Sequence, residues 1–450
     1  MELPPLTSDF PGVGGTIKQR VEDFFVQELP LYEPSGEGEH VYCEVEKAGV
    51  TTFDAVNRIA AALGVSSRDV GVAGLKDARA VTRQVLSVWG TTEAAVMALR
   101  LPGISVRWAA RHGNKLRLGH LAANRFAVKI RGVTPTDVVK LKDPIDVLRR
   151  RGMPNYFGEQ RFGRRGDNDK LGAALVRDDN IGVLSLLLGR PDPSVDDPDT
   201  VKARDAFDRR DNEAAMRHWP RRSGMERRVL ARLMKTGRPG AAVRAIDEKL
   251  RRLWVSALQS RLFNEVVARR VSGGTLDRLM DGDLAWKHDS GGVFRVEEAR
   301  AAEEQPRCDA FEISPSGPLI GYRMTAPSGE PLRIEQEAFA AAGLEAGDFR
   351  SRAIGRVKGA RRPLRVRPED VDLSAGVDDH GGYIAVAFTL PPGSFATVLL
   401  HELMKTPAKG GASGDVADAD PPDADPTEDD TPGADETEAG AAGAGTSGQD

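Results

Sequence analysis

The chain has 450 residues, a formal net charge of −4 and only two cysteines, and 40% of its residues are hydrophobic. Two cysteines, Cys43 and Cys308, are too few for a disulfide framework or a four-thiolate zinc site. No apolar run reaches the roughly 18 residues that a membrane helix needs, and the first residues do not resemble a signal peptide. We therefore expect a cytoplasmic protein of roughly two or three domains.

The net charge hides an asymmetry between the end of the chain and the rest. Residues 406–450 carry 12 acidic residues against a single lysine, a formal charge of −11, which leaves +7 on residues 1–405. The acidic stretch has one branched apolar residue, Val416, so it cannot bury enough surface to offset the entropy of folding. We predict a disordered acidic tail over residues 406–450 and a mildly basic folded part that favours an anionic partner.

The first part of the chain alternates strand patterns with one clear helix. Residues 40–46 alternate apolar and polar side chains, as in a half-buried strand. Residues 51–63 place apolar side chains at helical spacing, with Thr51 as the N-cap and Gly64 as the stop. Further strand patterns follow at residues 70–73 and 81–89.

Residues 124–131 alternate most clearly. Their pattern predicts Phe126, Val128 and Ile130 facing inward and Arg125, Lys129 and Arg131 facing outward. Helical patterns dominate residues 169–345, where the longest helix is predicted over residues 246–271, and a strand pattern returns at residues 384–390. Long helices between strands are too few for a doubly wound sheet, so we predict an α+β fold in which a helical module interrupts a strand-rich one.

The densest group of functional side chains lies in the predicted turn before residues 81–89. Asp77 stands there among Lys76, Arg79 and Arg83. Nearby cations favour the ionised carboxylate that a nucleophile requires, and they also attract phosphates. An aspartate that only caps its own turn would produce the same pattern, so the residues alone leave both interpretations open.

Two further segments favour nucleic acid. Residues 155–163 interleave aromatic, amide and arginine side chains, which suits an unpaired base, although a buried aromatic pair in a glycine-rich loop remains an alternative. Residues 217–252 hold ten arginines and two lysines against three acidic residues, a pattern typical of contacts with a phosphate backbone. The sequence contains no P-loop, no GxSxG elbow and no HxxxH pair of a zinc site.

Several strings, in one fixed order, resemble the TruD family of tRNA pseudouridine synthases. They occupy residues 22–28, 36–40, 74–84, 116–126, 154–163, 260–264, 314–318 and 390–397. The resemblance spans residues 14–405. It departs from the family at Val21, where many relatives have proline, and at Ala78, where they have a basic residue.

The resemblance implies a fold and an activity. It implies a pseudouridine synthase catalytic domain with a mixed, largely antiparallel sheet, formed by residues 1–165 and 362–405. A helix-rich TRUD domain would be inserted over residues 166–361. The expected activity is isomerisation of a flipped uridine, at position 13 of tRNA, without a metal or organic cofactor. We expect a monomer whose partner is tRNA and not a membrane.

The resemblance also implies roles for individual residues. Asp77 matches the nucleophile, Lys18 the cation paired with it, and Phe157 the aromatic residue that packs on the base. Phe24, Asn155 and Phe395 match residues that line the uridine pocket. Combined with the charge pattern, this predicts RNA contacts from Arg79, Arg83, Arg125, Arg221 and Arg222.

Two other functions remain to be weighed at this point. A catalytically silent RNA-binding protein would carry the same basic residues without needing Asp77. A nucleosidase would need two cooperating carboxylates, and Glu22 and Asp23 are the only obvious candidates for the second. Within the synthase hypothesis, the sequence does not distinguish attack of Asp77 on C1′ from removal of a sugar proton to form a glycal.

Overall fold

The structure is a computed structural model that describes residues 3–345 and 348–406. Nearly all of the predicted acidic tail, residues 407–450, lies outside the described residues. Within the described part of the chain, no helix is both long and apolar enough to cross a membrane.

Strands and helices are numbered in chain order. The strands are β1 (Phe24–Pro30), β2 (His40–Ala48), β3 (Val70–Val72), β4 (Val81–Trp89), β5 (Ile104–His112), β6 (Leu121–Arg131), β7 (Met153–Pro154), β8 (Leu284–Lys287), β9 (Val293–Arg295), β10 (Ile313–Leu319), β11 (Arg350–Ser351), β12 (Gly355–Arg356), β13 (Ala360–Pro363), β14 (Arg365–Val366), β15 (Glu369–Asp378) and β16 (Gly381–Leu390). The helices are α1 (Thr52–Leu63), α2 (Glu93–Met97), α3 (Lys142–Arg151), α4 (Asn168–Val176), α5 (Asn180–Leu188), α6 (Pro198–Asp208), α7 (Asn212–His218), α8 (Gly224–Thr236), α9 (Pro239–Val243), α10 (Glu248–Ser272), α11 (Ala301–Asp309), α12 (Gly329–Ala341) and α13 (Ala396–Met404).

The main sheet is mixed but largely antiparallel. In the described residues it has eight strands, in the order β15-β16-β6-β1-β4-β2-β5, with β3 added to β4. β1 and β4 run parallel, whereas the other neighbouring pairs of this sheet are antiparallel. The predicted α+β fold with a mixed, largely antiparallel sheet is therefore confirmed.

Local sequence signals account well for the first helix. The hydroxyl of Thr51 accepts a hydrogen bond from the backbone N–H of Asp54 at 3.0 Å, which caps α1 as predicted. Gly64 ends the helix with φ of +70°, a conformation that costs glycine little because it has no Cβ. The strand predicted over residues 81–89 also has the observed bounds of β4.

The expectation that Arg131 is exposed to solvent is wrong. Phe126, Val128 and Ile130 are buried as expected, but the Arg131 side chain is also buried, with only 4% of its surface exposed. Its guanidinium donates two hydrogen bonds to Asp23, at 2.8 and 2.6 Å, and further bonds to Asp378. Two carboxylates therefore offset the cost of burying this charge, a partnership that strand alternation cannot predict.

Two apolar cores share one face of the main sheet. Phe24 and Val26 of β1 belong to a core that includes side chains of β6, β16 and α13. Leu86 and Val88 of β4 belong to a second core under α1. The register pairs Val26 with Thr82, so these side chains all point to the same side of the pleat.

Helix α10 joins the main sheet to the helical region. Phe263 and Val266 in its second half pack into the core of the sheet, whereas Trp254 and Leu258 in its first half belong to a separate helical core. The predicted insertion, residues 166–361, contains α4–α12 and also the strands β8, β9 and β10. Together with β13, which extends two residues past position 361, these strands form a four-stranded sheet in the order β13-β10-β8-β9. The helical pattern alone did not indicate that second sheet.

Candidate active site

Asp77 lies in the loop between β3 and β4, where it meets a lysine from the start of the chain. Lys18 Nζ pairs with Asp77 Oδ2, and the backbone N–H of Arg79 donates to Asp77 Oδ1 at 3.0 Å. The Asp77 side chain is 38% exposed, whereas that of Lys18 is 10% exposed. The carboxylate is thus held from one side and open to solvent on another.

The surroundings of Asp77 favour its ionised form. Burial of the carboxyl is the largest influence and raises its pKa. The charge and hydrogen bond of Lys18, the N–H of Arg79 and the charge of Lys47 act in the opposite direction, and together they hold the pKa of Asp77 below its usual value. Asp77 is therefore an anion at neutral pH, as a nucleophile or a base at a sugar requires.

Lys18 has an uncommon backbone conformation, and its ammonium group lies over an aromatic ring. Lys18 has φ of +56°, in the left-handed region that side chains other than glycine rarely adopt. Its Nζ lies 4.4 Å from the centroid of the Phe24 ring, within the range of a cation–π contact. Strained backbone of this kind is often found at functional sites. The structure thus brings together the predicted residues Lys18, Phe24 and Asp77.

A buried polar network supports the loop immediately before Asp77. The backbone N–H of Lys76 donates to Thr52 Oγ1 at 2.9 Å, and Lys47 Nζ donates to the carbonyl of Lys76 at 3.2 Å. Thr52 in turn donates to Gln84 Oε1 at 3.0 Å. Both backbone groups of residue 76 are therefore held by side chains from α1 and β2, which restricts the position of Asp77. The sequence offered no signal for the roles of Lys47 and Thr52.

The predicted ring of positive charge around Asp77 is only partly present. Lys76 turns away and forms a buried ion pair with Glu28, at 2.9 Å. Arg83 pairs with Glu46 at 2.6 Å. The cations that lower the pKa of Asp77 are instead Lys18 and Lys47, which come from distant parts of the sequence.

The aromatic residues predicted to line the pocket form a second group. The ring centroids of Phe157 and Phe395 lie 5.9 Å apart, and Phe157 makes an edge contact with Phe263 of α10. Asn264 fixes the backbone of Phe157 from both sides, since its amide oxygen accepts from the Phe157 N–H at 2.8 Å and its amide nitrogen donates to the carbonyl at 2.9 Å. Phe24 and Phe157 belong to the same apolar core.

Asn155 has its amide engaged within the protein. The side chain is buried, its nitrogen donates to the Pro363 carbonyl at 2.9 Å, and its oxygen accepts from Arg362 at 2.5 Å and from Ser394 at 3.4 Å. Arg362 also lies over Phe157, 4.3 Å from the ring centroid. Asn155 therefore positions Arg362 and the loop that carries Phe395. The sequence did not single out Arg362.

The predicted RNA-contacting arginines occupy different surfaces. Arg79 is exposed beside Asp77, and Arg221 is exposed in the helical region. Arg222 is exposed too, but it pairs with Asp197 at 2.7 Å. Arg83 and Arg125 flank Gln27 in the register of the sheet.

The pleat places Arg83 and Arg125 on the face opposite Phe24, because Gln27, their register partner, is three positions after Phe24 along β1 and successive side chains alternate between the faces. The structure therefore does not bring these two arginines together with Asp77. On the same strand as Arg125, Lys129 donates to Asp378 at 2.9 Å. In the described part of the chain, no group of three or more His, Cys, Asp or Glu residues is arranged to hold a metal ion.

The chain is similar to known proteins over most of its length. The family model for tRNA pseudouridine synthase D (TruD) matches residues 1–403. The chain is 45% identical over 408 residues to tRNA pseudouridine synthase D of Geobacter sulfurreducens, an alignment that covers 90% of this chain and 97% of the relative. It is 46% identical over 403 residues to the protein of the same name from Geobacter metallireducens, covering 89% of this chain and 97% of the relative.

A solved structure shares the fold. The crystal structure of the putative tRNA pseudouridine synthase D from Methanosarcina mazei superposes with a TM-score of 0.80 at 28% sequence identity. The match covers 89% of this chain and 96% of the other, so it includes both the main sheet and the helical region.

Proposed function

This chain belongs to the TruD family and is a tRNA pseudouridine synthase, and we propose that it converts uridine 13 of tRNA with Asp77 as the nucleophile. The observation that carries the proposal is the pairing of Asp77 with Lys18, which favours the charged carboxylate while more than a third of its side chain stays exposed. A catalytically silent RNA-binding protein is not favoured, because relatives matched over nearly their full length are named as synthases.

The isomerisation explains why the carboxylate must be both ionised and accessible. The bond between C1′ and N1 of uridine breaks, the uracil turns, and C5 bonds to C1′. A stacked uridine cannot do this, so it is flipped out of the RNA and into the site. As the nucleophile, Asp77 attacks C1′ as an anion within reach of the ribose, and removal of a sugar proton to form a glycal would require the same anion. Lys18 and the backbone N–H of Arg79 hold the carboxylate of Asp77 without enclosing it, so the ribose can approach it.

The aromatic group would hold the detached uracil. Arg362 covers one face of the Phe157 ring, so in this proposal the base packs against the part of Phe157 that faces Phe395. Phe24, under the ammonium of Lys18, forms the wall beside the ribose. Asn155 and Asn264 act on the base indirectly, because their amides hold the pocket loops. These roles need no metal or organic cofactor.

We further propose that residues 1–165 and 362–405 form the catalytic domain and that residues 166–361 are an inserted domain that binds tRNA. Arg228, Arg232 and Lys235 are exposed at positions i, i+4 and i+7 of α8 and therefore form one stripe, which we call the α8 basic stripe. Arg221 and Arg222 precede it, and phosphates along this stripe would orient the tRNA. Arg79 would contact RNA at the catalytic site itself.

The test is the variant Asp77→Asn, which keeps the size of the side chain but removes its charge. Purified enzyme in excess over tRNA should convert uridine at least about 1,000-fold more slowly than wild type, equivalent to about 4 kcal/mol in the barrier. Affinity for tRNA and the melting temperature should stay close to those of wild type. Pseudouridine is mapped by nucleotide, and a tRNA with cytidine at position 13 should yield none there.

Asp205→Asn provides the matched control, because it removes the same charge from an exposed surface ion pair on α6. It should leave the rate unchanged. Conversion by Asp77→Asn within about tenfold of wild type, a difference of about 1.4 kcal/mol, would disprove the role of Asp77. Pseudouridine at a position other than 13 would disprove the site of modification but not the nucleophile.

A further inference from the structure

The helical region contains a cavity that does not include any residue of the Asp77 site. It has a volume of about 320 Å³ and lies among α4, α5, α6, α8 and α10. Its aromatic and apolar lining includes Trp219, Trp254, Leu187, Met225 and Leu250. Such a lining suits a flat organic group better than it suits an ion.

The charged lining of the cavity is balanced. Four arginines face four carboxylates, so the formal net charge is zero; these residues are Arg164, Arg165, Arg204, Arg222, Asp167, Asp196, Asp197 and Glu226. A site for a phosphate group would need an excess of positive charge. The expected occupant is therefore electrically neutral.

Three side chains in the wall have a polar atom without a hydrogen-bond partner among the described residues, and one of these atoms is Nε of Arg204. The other two are Oδ1 of Asp196, whose side chain is 1% exposed, and Nε1 of Trp219, which is 3% exposed. The other oxygen of Asp196 is occupied by Arg165 and by the backbone N–H of Asp192, at 3.0 Å. The wall therefore holds one unused acceptor, on Asp196, and two unused donors, on Trp219 and Arg204, and native proteins rarely leave such groups unpaired.

Arg204 connects the other two groups. Its Nε lies 3.4 Å from Asp196 Oδ2, within ion-pair range but without the geometry of a hydrogen bond, and its guanidinium lies 5.5 Å from the Trp219 ring. Two further hydrogen bonds, to the carbonyls of Leu186 and Gly189, hold the guanidinium in place. The acceptor and the two donors thus belong to one cluster.

We propose that this cavity binds an unpaired nucleobase of the tRNA substrate. A nucleobase is flat and neutral, and the Watson–Crick edge of every base carries a donor beside an acceptor, which complements Asp196 and Trp219. The inference rests on tRNA as the substrate but not on the role of Asp77.

The position of the cavity explains why the base would belong to an RNA chain. Arg222, Ser223 and Met225 line the cavity at the beginning of α8. The α8 basic stripe continues from there along the outside of the helix. A strand of RNA could therefore place its phosphates along the stripe and insert one base at its end.

The test compares two identical substitutions on one helix. Met225→Trp fills the cavity, whereas Met234→Trp adds the same side chain at an exposed position on the other side of α8. We expect Met225→Trp to raise the KM for tRNA about tenfold and to leave the single-turnover rate at saturating enzyme unchanged. Met234→Trp should change neither quantity.

Salt dependence separates base insertion from phosphate binding. Neutralising Arg228 and Arg232 to glutamine should reduce the slope of log affinity against log salt by about one for each lost contact. Met225→Trp should weaken binding without changing that slope, because inserting a neutral base releases no counterions. Trp219→Phe removes the donor together with one ring of the indole and should raise the KM for tRNA about threefold, whereas Trp286→Phe makes the same change in β8, outside the cavity, and should have no effect.

A binding experiment with free nucleosides at millimolar concentration, measured by tryptophan fluorescence, tests whether the cavity takes a free nucleoside or a base of the tRNA. If they bind to wild type while Met225→Trp and Trp219→Phe leave the KM for tRNA unchanged, the cavity takes a free nucleoside and the proposal is wrong. An unchanged KM without nucleoside binding overturns it as well. Neither result affects the proposed function, which wild-type conversion and its loss in Asp77→Asn test directly. Should Met225→Trp fail to fold, Trp219→Phe still decides the matter.

Discussion

Asp23 and Asp77 are both carboxylates paired with a cation, and each precedes one of the two parallel neighbours β1 and β4. The Asp23 side chain is 1% exposed and receives two hydrogen bonds from the fork of Arg131. The Asp77 side chain is 38% exposed and meets the single ammonium of Lys18. Two carboxylate–cation pairs that precede neighbouring parallel strands therefore differ in their exposure and in the geometry of their hydrogen bonds.

The difference shows what makes a carboxylate available for chemistry. Arg131 binds both oxygens of Asp23 in a planar fork, so Asp23 is committed to holding β1 against β6. Lys18 is a point charge that stabilises the anion of Asp77 without covering it. Asp23 is consequently unable to serve as the second carboxylate of a nucleosidase. Glu22, the other candidate, is 67% exposed and pairs with Arg20.

The largest effect on stability should come from breaking the buried pair. Asp23→Asn leaves Arg131 buried with only Asp378 as its carboxylate partner, so the free energy of unfolding should fall by about 3 kcal/mol. Urea denaturation measures this change. The remaining folded protein should convert tRNA at the wild-type single-turnover rate, because Asp23 does not contact the substrate in our proposal.

Asp378→Asn is the control, because it removes the more exposed partner of Arg131. It should cost only about 1 kcal/mol. If Asp23→Asn were as stable as Asp378→Asn, the structural role assigned to Asp23 would be wrong.

Removing Lys18 should affect the rate more than the fold. Lys18→Met should lower the single-turnover rate about 100-fold, equivalent to about 2.7 kcal/mol, because Asp77 loses both its orientation and its main source of positive charge. Lys18→Arg should restore part of the rate. Lys18→Met should also show a different dependence of the rate on pH.

The direction of that pH effect follows from the folded-state pKa of Asp77, which is lower than its usual value. Its ionisation stabilises the folded protein above the unfolded pKa, and this contribution is lost as the pH falls through the folded pKa. Without Lys18 the folded pKa rises, so the acidic limb of the rate profile should move to higher pH. An acidic limb that stays in place would show that Lys18 does not act through Asp77.

The buried network allows two influences on Asp77 to be tested separately, namely the positive charge of Lys47 and the position of the loop at residue 76. Lys47→Met removes a buried cation that lowers the pKa of Asp77, and Thr52→Val removes only the hydroxyl that holds residue 76. Each should lower the rate about tenfold, or about 1.4 kcal/mol. The acidic limb should move to higher pH in Lys47→Met but not in Thr52→Val. Identical pH profiles for the two variants would contradict the electrostatic role of Lys47.

The smallest effect is expected at the partly exposed pair of Arg83 and Glu46, on the other face of the sheet. Glu46→Gln should change the free energy of unfolding by less than about 1 kcal/mol, as is typical of exposed ion pairs. The rate of conversion should not change, because Arg83 lies opposite Phe24. A fall of tenfold or more would mean that this face also takes part in catalysis.

Local patterns in the sequence were sufficient for much of the fold and for the proposed nucleophile. Thr51 and Gly64 set the ends of α1 through backbone hydrogen bonding and glycine's freedom at positive φ, and both effects act within one turn of helix. Alternation predicted β4 because its side chains differ between the two faces. Asp77 could be identified as a candidate because the strings that resemble the family are contiguous in sequence.

Which charged side chains form ion pairs with each other could be determined only from the tertiary structure. Arg131, Lys76 and Lys18 are all cations near strands, yet one is buried in a structural pair, one turns away towards Glu28, and one contacts Asp77. Alternation tells which side of a strand a residue occupies, but it contains no information on partners that lie 59 or 108 positions away. The cost of burying a charge selects those partners, and that cost exists only once the chain has folded around them.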